Sequence, residues 1–508
     1  MMDVLLLISI FCIIEFSKAD DCIPRKFPNG IVCVCNSTYC DSIEIDVPPK
    51  EKFRSYISSK DGKRFEVEDG DFSTEITNDR IVFSLSSTRT YQTINGFGGA
   101  FTDSTGININ KLSNATREQL LQTYFSKKGS SYSLCRVPIG GTDFSTRPYT
   151  LDDSPDDYKL EKFSLTNEDH EYKIPYMKKG LEINPQLKFV SASWSAPAWM
   201  KTNNNIRGFL GKLQSQYYQI YANYLIKFLE AYKNQNLPMW AISTGNEPLN
   251  AAIPFISIND MLWTPASVTD WVVNNFGPTL EHSNSNETII LALDDQRFLL
   301  PWVIDQMYRT NKNIDKYISG IAVHWYGDMI SSVNVFDETH EKYPNKFLLM
   351  TEACSGSFPQ RKGVLLGSWE RGENYIKSII EDMNHWITGW IDWNLVLDRN
   401  GGPTWVNNNV DSPIIVNPET DEFFKQPMYY ALAHVSKFVP PGSVRIKIDG
   451  LSLWVQATAF KTPDNNIVIL LHNPTNQKKK LNIIDKDENK IIDIEMDQRS
   501  IRTIIYKK

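Results

Sequence analysis

Two glutamates stand in short motifs that could perform acid–base and nucleophilic chemistry. Glu247 closes the run Ser-Thr-Gly-Asn-Glu-Pro at 243–248 and follows an apolar stretch at 239–242, and Glu352 follows a second apolar stretch at 347–350. Both stretches are typical of buried parallel strands, and in a closed parallel barrel the carboxyl ends of the strands share one face. Two carboxyl groups facing each other across a sugar are what glycoside hydrolysis needs. The pattern therefore predicts a glycosidase.

The chemistry assigns a different role to each glutamate. In a retaining mechanism one carboxyl group protonates the leaving oxygen and the other, about 5 Å away, attacks the anomeric carbon. We expect Glu247 to be the acid/base and Glu352 the nucleophile. Arg136 or His324 beside Glu352 would keep it ionised, because a nearby positive charge lowers a carboxyl pKa. An ordinary turn at 246–248 and a core histidine at 324 are the structural alternatives.

Pro248 restricts the backbone conformation of Glu247, the residue before it. A residue that precedes proline is biased towards extended geometry. We therefore expect Glu247 to be extended, with its side chain aimed into a cleft.

Alternating strand and helix patterns predict the scaffold. Helical patterns lie between most of the eight short apolar runs, and the strongest, at 214–234, follows the i, i+3, i+4, i+7 rule. Eight such repeats predict an α/β fold, a (β/α)₈ TIM barrel, with a doubly wound open sheet as the alternative. The runs are residues 94–101, 132–137, 187–193, 239–244, 289–293, 320–323, 346–351 and 388–393.

Polar and aromatic residues follow most of these runs. Arg136 lies near the end of the second run and Asp143 follows it, Asn246 follows the fourth and His324 the sixth, so we expect them on one rim. Tryptophans at 194, 199 and 393 could line a sugar pocket or belong to the core. The acidic pair at 294–295 favours a hydrogen-bonded strand end over a ligand set, and the sequence predicts neither a metal nor a cofactor.

The two ends of the chain predict a second domain. Residues 444–507 alternate apolar and polar around turns, as antiparallel strands do, and residues 53–88 contain similar short strands. We expect both ends to build one all-β sandwich. The predicted segments are a signal peptide at 1–19, a disulfide-stapled β segment at 20–45, sandwich strands at 46–90, the barrel at 91–430 and further sandwich strands at 431–508.

Several features predict passage through the secretory pathway. Residues 4–14 form an apolar stretch of h-region length, followed by small residues suited to cleavage. The four cysteines Cys22, Cys33, Cys35 and Cys40 lie close together, which favours disulfides over a zinc site, whereas Cys135 and Cys354 are expected to be free thiols. Sequons occur at Asn36, Asn114 and Asn286.

Composition narrows the range of partners. The formal net charge is −7 and no basic stripe is present, so nucleic acid is not an expected partner. Residues 251–263, between the fourth strand and the next helix, are rich in apolar side chains. This loop could face a lipid surface or fold onto the barrel.

An ordered set of motifs over nearly the whole mature chain resembles the lysosomal acid β-glucosidase (glucosylceramidase) family, retaining glycoside hydrolases of family 30. The motifs are Val-Cys-Val-Cys-Asn-Ser-Thr-Tyr-Cys-Asp at 32–41, Gly-Phe-Gly-Gly-Ala at 96–100, Asn-Glu-Pro at 246–248, Leu-Asp-Asp-Gln-Arg at 293–297, Ala-Val-His-Trp-Tyr at 322–326, Glu-Ala-Cys at 352–354, Asp-Trp-Asn at 392–394 and Val-Asp-Ser-Pro at 410–413.

The resemblance implies hydrolysis of glucosylceramide to glucose and ceramide with retention, in sphingolipid catabolism. It also implies membrane-associated action in the lysosome lumen, with secretion as the alternative, aided by a saposin-type activator protein and an anionic lipid membrane surface. Glu247 matches the acid/base and Glu352 the nucleophile, and the cysteines would pair as Cys22 with Cys33 and Cys35 with Cys40. The further matches are glucose-binding residues at Asp143, Trp194, Asn246, Trp393 and Asn408, pocket residues at His324 and Tyr326, and a nearby arginine at Arg297, with Arg136 as a supporting residue.

The chain departs from that family at three places, of which Thr142, in place of a free cysteine, is expected to have no effect. Gly245 stands where the family has a glutamate two residues before the acid/base, which could lower the pKa of Glu247. The loop after Pro248 also differs, so the aglycone and the activator contact are open. A barrel glycosidase with another substrate and an inactive glycolipid-binding barrel are the alternative functions.

Overall fold

The computed structural model describes residues 21–256, 258–357, 362–450 and 452–508, so the predicted signal peptide at 1–19 lies outside the described residues. The described strands are β1 (Pro24–Phe27), β2 (Gly30–Asn36), β3 (Lys52–Ser59), β4 (Glu66–Asp71), β5 (Ile81–Thr93), β6 (Gly96–Ala100), β7 (Leu134–Ile139), β8 (Lys188–Ser193), β9 (Ala241–Ser243), β10 (Ile289–Gln296), β11 (Ile318–His324), β12 (Phe347–Glu352), β13 (Ile387–Asn394), β14 (Val396–Asp398), β15 (Ile414–Asn417), β16 (Glu422–Lys425), β17 (Val444–Asp449), β18 (Gln456–Lys461), β19 (Asn466–Asn473), β20 (Lys479–Asp485), β21 (Lys490–Met496) and β22 (Ser500–Lys507).

Most of the described α-helices connect the strands of the middle of the chain. They are α1 (Asp103–Asn110), α2 (Asn114–Phe125), α3 (Ile174–Ile183), α4 (Tyr218–Asn234), α5 (Pro265–Trp271), α6 (Gly277–Glu281), α7 (Trp302–Thr310), α8 (Ile314–Tyr317), α9 (Asn334–Lys342), α10 (Trp369–Asn384) and α11 (Pro427–Ser436).

The eight strands β6 to β13 close into a parallel barrel, with β13 paired to β6. Each predicted apolar run overlaps one of these strands, so the barrel is confirmed and the open sheet is wrong. Aliphatic side chains from β7 to β13 pack together in a buried cluster, as expected of strands that are covered on both faces. They are Leu134, Val190, Ala241, Leu291, Ala322, Leu349 and Ile391.

Helix α4 shows how the sequence pattern sets the outer layer. It follows a 3₁₀ turn at Ser215–Tyr217, so the pattern predicted at 214–234 is confirmed. Tyr221, Tyr224, Leu225 and Phe228 are buried on one side of the helix. Their spacing places them on a single face at 3.6 residues per turn, and that face packs into the main core.

The predicted sandwich is built from both ends of the chain. Its nine strands run in the order β21-β20-β5-β17-β18-β19-β22-β3-β4, so β3 to β5 join the C-terminal strands. One face of the curled sheet encloses its own apolar cluster, which includes Phe83, Ile469 and Ile504. Val468 and Ile501 belong instead to the main core, so one continuous core joins the two domains.

The N-terminal segment is fixed by two disulfides, Cys22–Cys33 and Cys35–Cys40, which confirms the pairing and excludes the zinc alternative. Strand β2 pairs with β16, and β1, β2, β16, β15 and β14 form a five-stranded sheet. Cys135 and Cys354 are buried and free, as predicted.

Among the described residues, none of the helices combines the length and the apolar character that crossing a membrane requires.

Candidate active site

Glu247 and Glu352 lie at the carboxyl ends of two barrel strands, β9 and β12, which are separated by β10 and β11. Glu352 is the last residue of β12, and Glu247 lies four residues beyond the end of β9. A carboxylate oxygen of each and a ring nitrogen of His324 all lie within 4.8 Å of one another. This separation fits the short spacing of a retaining pair and is smaller than the roughly 6.5–9.5 Å of an inverting pair.

The expected extended backbone at Glu247 is wrong. Glu247 has φ 42° and ψ 57°, in the left-handed region. The following proline disfavours only the right-handed helical region, and hydrogen bonds select the left-handed one. The Glu247 N–H donates to the Asp294 carbonyl over 2.9 Å and its carbonyl accepts from the Asn250 N–H over 2.9 Å. A non-glycine residue held at positive φ is strained, and such residues concentrate at functional sites.

Three side chains donate hydrogen bonds to the Glu247 carboxyl group. Oε1 accepts from Gln296 Nε2 over 2.7 Å and contacts His324 Nδ1 at 2.8 Å, and Oε2 accepts from Asn250 Nδ2 over 2.6 Å. The carboxyl group is buried, with its side chain 11% exposed. It is therefore held in one orientation before any substrate arrives.

Glu352 is held by two donors from other strands. Its Oε2 contacts an Arg136 guanidinium nitrogen in a buried ion pair, and its Oε1 accepts from the Tyr326 hydroxyl over 2.8 Å. Arg136 therefore lies beside Glu352, as expected, and His324 also lies within 4.8 Å of it, although the His324 ring forms its hydrogen bonds with Glu247 and Asp294.

Asp294 is the centre of the charge network beneath the two glutamates. Its Oδ2 accepts from Arg136 over 2.7 Å, and its Oδ1 accepts from Thr351 over 2.6 Å and contacts His324 Nε2 at 3.0 Å. Although burial opposes ionisation, Arg136 and His324 hold the pKa of Asp294 well below its ordinary value. Asp294 therefore remains charged and fixes both cations.

The pKa shifts of the two glutamates follow from these neighbours. Burial and the charge of Glu247 raise the pKa of Glu352, more than His324 and Arg136 lower it. Burial also opposes the charge of Glu247, but the hydrogen bond and charge of His324 lower the pKa of Glu247 below its ordinary value. His324 is charged there, because the surrounding carboxylates raise its pKa to about 10 against the effect of burial.

The lowered pKa of Glu247 and the raised pKa of Glu352 describe the site without substrate. Two coupled carboxyl groups titrate as one unit, so a bound substrate can move the proton between them.

The residues matched to glucose binding lie beside this pair. The rings of Trp194 and Trp393 stack with centroids 5.2 Å apart, and the Arg136 guanidinium lies 4.9 Å from the Trp194 ring. Asn246 Oδ1 accepts from Arg136 over 2.8 Å. Asp143 is buried and accepts from Asn408 over 2.8 Å, and burial raises the pKa of Asp143 to about 7.

Two predicted residues lie elsewhere. Arg297 forms ion pairs with Asp328 and Glu381 and donates to two backbone carbonyls after β11. It therefore anchors the loop that follows Tyr326, and its hydrogen bonds and ion pairs with described residues include neither Glu247 nor Glu352. Trp199 packs against Tyr158 and Tyr217, apart from the stacked Trp194 and Trp393.

Sequence reasoning missed Gln296 and Asn250 as donors to Glu247. Both stand inside or next to motifs that it did single out, yet an amide side chain carries no signal for a particular carboxyl partner. It also missed Trp405, whose Nε1–H donates to the Thr142 carbonyl over 2.7 Å, next to Asp143.

Glu247, His324 and Glu352 have the spacing of a possible metal ligand set. The guanidinium of Arg136 already supplies positive charge to Glu352, and two carboxyl groups can hydrolyse a glycoside without a metal. We therefore keep the prediction that the site uses none.

Part of the loop after Pro248 folds onto the barrel and part of it is exposed, so each of the two predicted alternatives holds for some of its residues. Ala251, Met261 and Trp263 are buried against the barrel, whereas Phe255 is 79% exposed. Met329 and Ile330, on the loop after β11, are 90% and 78% exposed. Apolar side chains are therefore presented by two loops on the face that carries the glutamates.

Known proteins share this architecture. Residues 94–439 match the glycosyl hydrolase family 30 TIM-barrel domain, and residues 442–504 match the family 30 β-sandwich domain. The chain is 40% identical over 479 residues to the lysosomal acid glucosylceramidase of Mus musculus, covering 92% of each chain.

Two solved structures superpose on it. They are SrfJ from Salmonella typhimurium, with a TM-score of 0.83, and an endo-β1,6-glucanase, with a TM-score of 0.78. Each is 26% identical to this chain, and the match covers 90% of this chain and 100% of the other.

Proposed function

Because the chain belongs to glycosyl hydrolase family 30, we propose that this glycosidase is a retaining β-glucosidase that hydrolyses glucosylceramide to glucose and ceramide. The observation that carries the proposal is the pair Glu247 and Glu352, with carboxylate oxygens within 4.8 Å at the mouth of the barrel. The choice of glucosylceramide as the substrate is supported by the 40% identity to the Mus musculus lysosomal acid glucosylceramidase.

The proposed reaction has two steps. Glu352 attacks the anomeric carbon while Glu247 gives its proton to the glycosidic oxygen, so the bond to ceramide breaks and a covalent glucosyl ester forms. Glu247 then takes a proton from water, whose oxygen attacks the anomeric carbon and releases Glu352. Each carboxyl group ends as it began, and two inversions give retention.

The neighbours of each glutamate suit these roles. The Arg136 guanidinium stabilises the Glu352 carboxylate as nucleophile and again as leaving group. Asp143, Asn246 and Asn408, with the rings of Trp194 and Trp393, would hold the glucose hydroxyls and ring face. Hydrogen-bonding groups fixed in advance need no reorganisation during the reaction.

A lipid surface and an activator are the proposed partners. The exposed Phe255, Met329 and Ile330 could enter a bilayer, and Arg207 and Lys212 on an adjacent loop are exposed and suit anionic lipid. The second proposed partner, a saposin-type activator protein, rests only on the resemblance of the sequence to the glucosylceramidase family.

The proposed location is the lysosome lumen, reached through the secretory pathway in a role in sphingolipid catabolism. The two disulfides and the exposed sequons at Asn114 and Asn286 support this route, as does the name of the lysosomal relative.

The test is glucose release at mildly acidic pH from glucosylceramide in detergent with anionic lipid, beside galactosylceramide and an aryl β-glucoside. We expect cleavage of both glucosides and not of the galactosyl lipid. Cleavage of the aryl glucoside alone would exclude the lipid substrate. A 2-deoxy-2-fluoro-β-glucoside should label Glu352, as read by peptide mass spectrometry, and a label on another residue would overturn the assigned nucleophile.

A further inference from the structure

A groove with a volume of about 180 Å³ lies outside the barrel, between α5 and α7. Val268 of α5 and Val303 and Met307 of α7 form two of its sides. Pro248 and Leu249, the two residues after Glu247, form another. The groove is thus separate from the glucose-binding residues but shares a wall with the turn that carries Glu247.

The lining of the groove suits hydrocarbon. Asp295 is the one charged residue among its described lining residues, and both of its oxygens are occupied, Oδ2 by the Leu249 N–H over 2.9 Å and Oδ1 by the Gln296 N–H over 2.7 Å. Burial and the charge of Glu247 raise the pKa of Asp295 to about 7, so it is neutral at acidic pH. An apolar cavity of roughly 150 Å³ holds a benzene-sized apolar molecule rather than water.

The groove adjoins the exposed apolar loops on the glutamate-bearing face. Trp302, at its edge, is 56% exposed. Leu299, another lining residue, belongs to a 3₁₀ turn that contacts the turn Asp328–Ile330, where Met329 and Ile330 are exposed. Leu249 leads along the chain to the exposed Phe255. Exposed apolar side chains therefore stand at the edge of the groove and on the turn that contacts one of its walls.

We propose that the groove between α5 and α7 binds one hydrocarbon chain of a lipid, and that a chain bound there supports the turn carrying Glu247. The strained left-handed backbone of Glu247 is followed directly by the two wall residues, and the Leu249 N–H is tied to Asp295. Filling the groove therefore restricts movement of this turn. The exposed apolar side chains next to the groove favour a chain from a neighbouring lipid of the surface, so the groove does not rest on the proposed function, and the substrate's own chain is the alternative that the activity test separates.

Binding is tested with octane-1-sulfonate below its micelle concentration, by calorimetry on the full protein. We expect saturable binding that strengthens about threefold to fourfold per methylene from butane- to octane-sulfonate. Val303→Phe, which fills the groove, should weaken octane-sulfonate binding at least about fivefold. Val335→Phe, at a half-buried valine of α9 outside the groove, should not. Equal binding by all three proteins would overturn the proposal.

Activity distinguishes the two sources. A rise of kcat/KM with chain length of n-alkyl β-glucosides that disappears in Val303→Phe would assign the groove to the substrate's own chain and overturn the proposed source. Stimulation of aryl glucoside hydrolysis by octane-1-sulfonate that disappears in Val303→Phe identifies a separate lipid. If Val303→Phe alters neither the chain-length dependence of kcat/KM nor the stimulation by octane-1-sulfonate, a chain in the groove does not support the turn that carries Glu247. If glucosylceramide is not hydrolysed while octane-sulfonate still binds, the proposed substrate fails and the groove stands.

Discussion

At the scale of single residues, the site is organised around charges that are fixed before substrate binds. Arg136 contacts Glu352, Asp294 and Asn246 from β7, so one buried guanidinium connects three strand ends. Arg136 also lies within 5.7 Å of the Trp393 ring centroid. Arg136 thus connects the carboxylates of the site to its tryptophan rings. A displacement of the carboxylates would therefore also displace the rings, and the reverse.

The nucleophile assignment predicts that Glu352→Gln abolishes turnover. The amide keeps the shape of the side chain but cannot form the glucosyl ester, so we expect kcat on an aryl glucoside to fall at least about 10³-fold. Thermal unfolding should show a folded protein. A folded Glu352→Gln enzyme that turns over normally would contradict the assignment.

The general-acid assignment predicts a dependence on the leaving group in Glu247→Gln. A substrate whose aglycone leaves without protonation should keep a kcat/KM near that of the unchanged enzyme, whereas a poor leaving group should lose about 10²–10⁴-fold. The measurement is kcat/KM across aryl glucosides of graded phenol pKa. An equal loss for all of them would count against Glu247.

Gly245 predicts a pH effect. Because His324 lowers the pKa of Glu247 against the effect of burial, the acid loses its proton at low pH and kcat/KM should fall as the pH rises. A carboxylate added at position 245 would raise that pKa, so Gly245→Glu should move the alkaline limb to higher pH. Gly245 has φ 140°, where any side chain is strained, so Gly245→Ala is the matched control. The measurement is the pH profile of kcat/KM for both variants. If their alkaline limbs coincide, the added carboxylate does not raise the pKa of Glu247.

At this scale the sequence identified the reacting residues but not their connections. Glu247 and Glu352 follow from strand ends and motif, whereas Gln296 and Asn250 reach Glu247 only through the folded geometry. The left-handed backbone of Glu247 was missed for the same reason. Its hydrogen bond to the Asp294 carbonyl crosses to another strand, and proline chemistry alone cannot indicate that partner.

At the scale of elements, the loops of the glutamate-bearing face restrain one another. The Arg207 guanidinium lies 5.4 Å from the Trp405 ring, and Asn259 donates to the Gly141 carbonyl over 2.7 Å. Trp405 donates to the Thr142 carbonyl. Three loops therefore meet beside Asp143. Strand and helix order could be predicted because each element has its own periodicity, but these contacts between loops have no such local pattern.

Trp405→Phe tests this restraint, because it keeps an aromatic ring and removes the hydrogen bond beside Asp143. A neutral hydrogen bond contributes about 0.5–1.5 kcal/mol, so we expect KM for an aryl glucoside to rise roughly 2- to 12-fold, with kcat within about twofold. Steady-state kinetics measure this. Trp454→Phe, at an exposed tryptophan of the sandwich, is the control and should change neither constant. An unchanged KM in Trp405→Phe would show that Asp143 is positioned without it.

At the scale of the whole molecule, the barrel and the sandwich behave as one unit because charges as well as apolar side chains join them. Arg499, between β21 and β22, donates through Nε to Glu373 of α10 over 2.8 Å and forms a second contact through its terminal nitrogen. Trp369 also donates to Glu373, over 2.9 Å. That both chain ends build the sandwich could be predicted from alternation, but this ion pair could not, since its partners are 126 residues apart.

This ion pair predicts a pH-dependent loss of stability in Arg499→Met. Burial opposes the charge of Glu373, but Arg499 and His472 hold the pKa of Glu373 below its ordinary value. A carboxyl group with a lowered folded pKa stabilises the protein above its unfolded pKa of about 4.3 and loses that contribution as the pH falls through the folded pKa.

Urea unfolding should therefore show Arg499→Met less stable by about 2–3 kcal/mol at pH 6, with the difference shrinking towards pH 3. Lys316→Met, which breaks an exposed pair with Glu281, should leave the free energy of unfolding unchanged within error at either pH. A loss in Arg499→Met that is the same at both pH values would mean that packing of the arginine stem, and not its charge, joins the two domains.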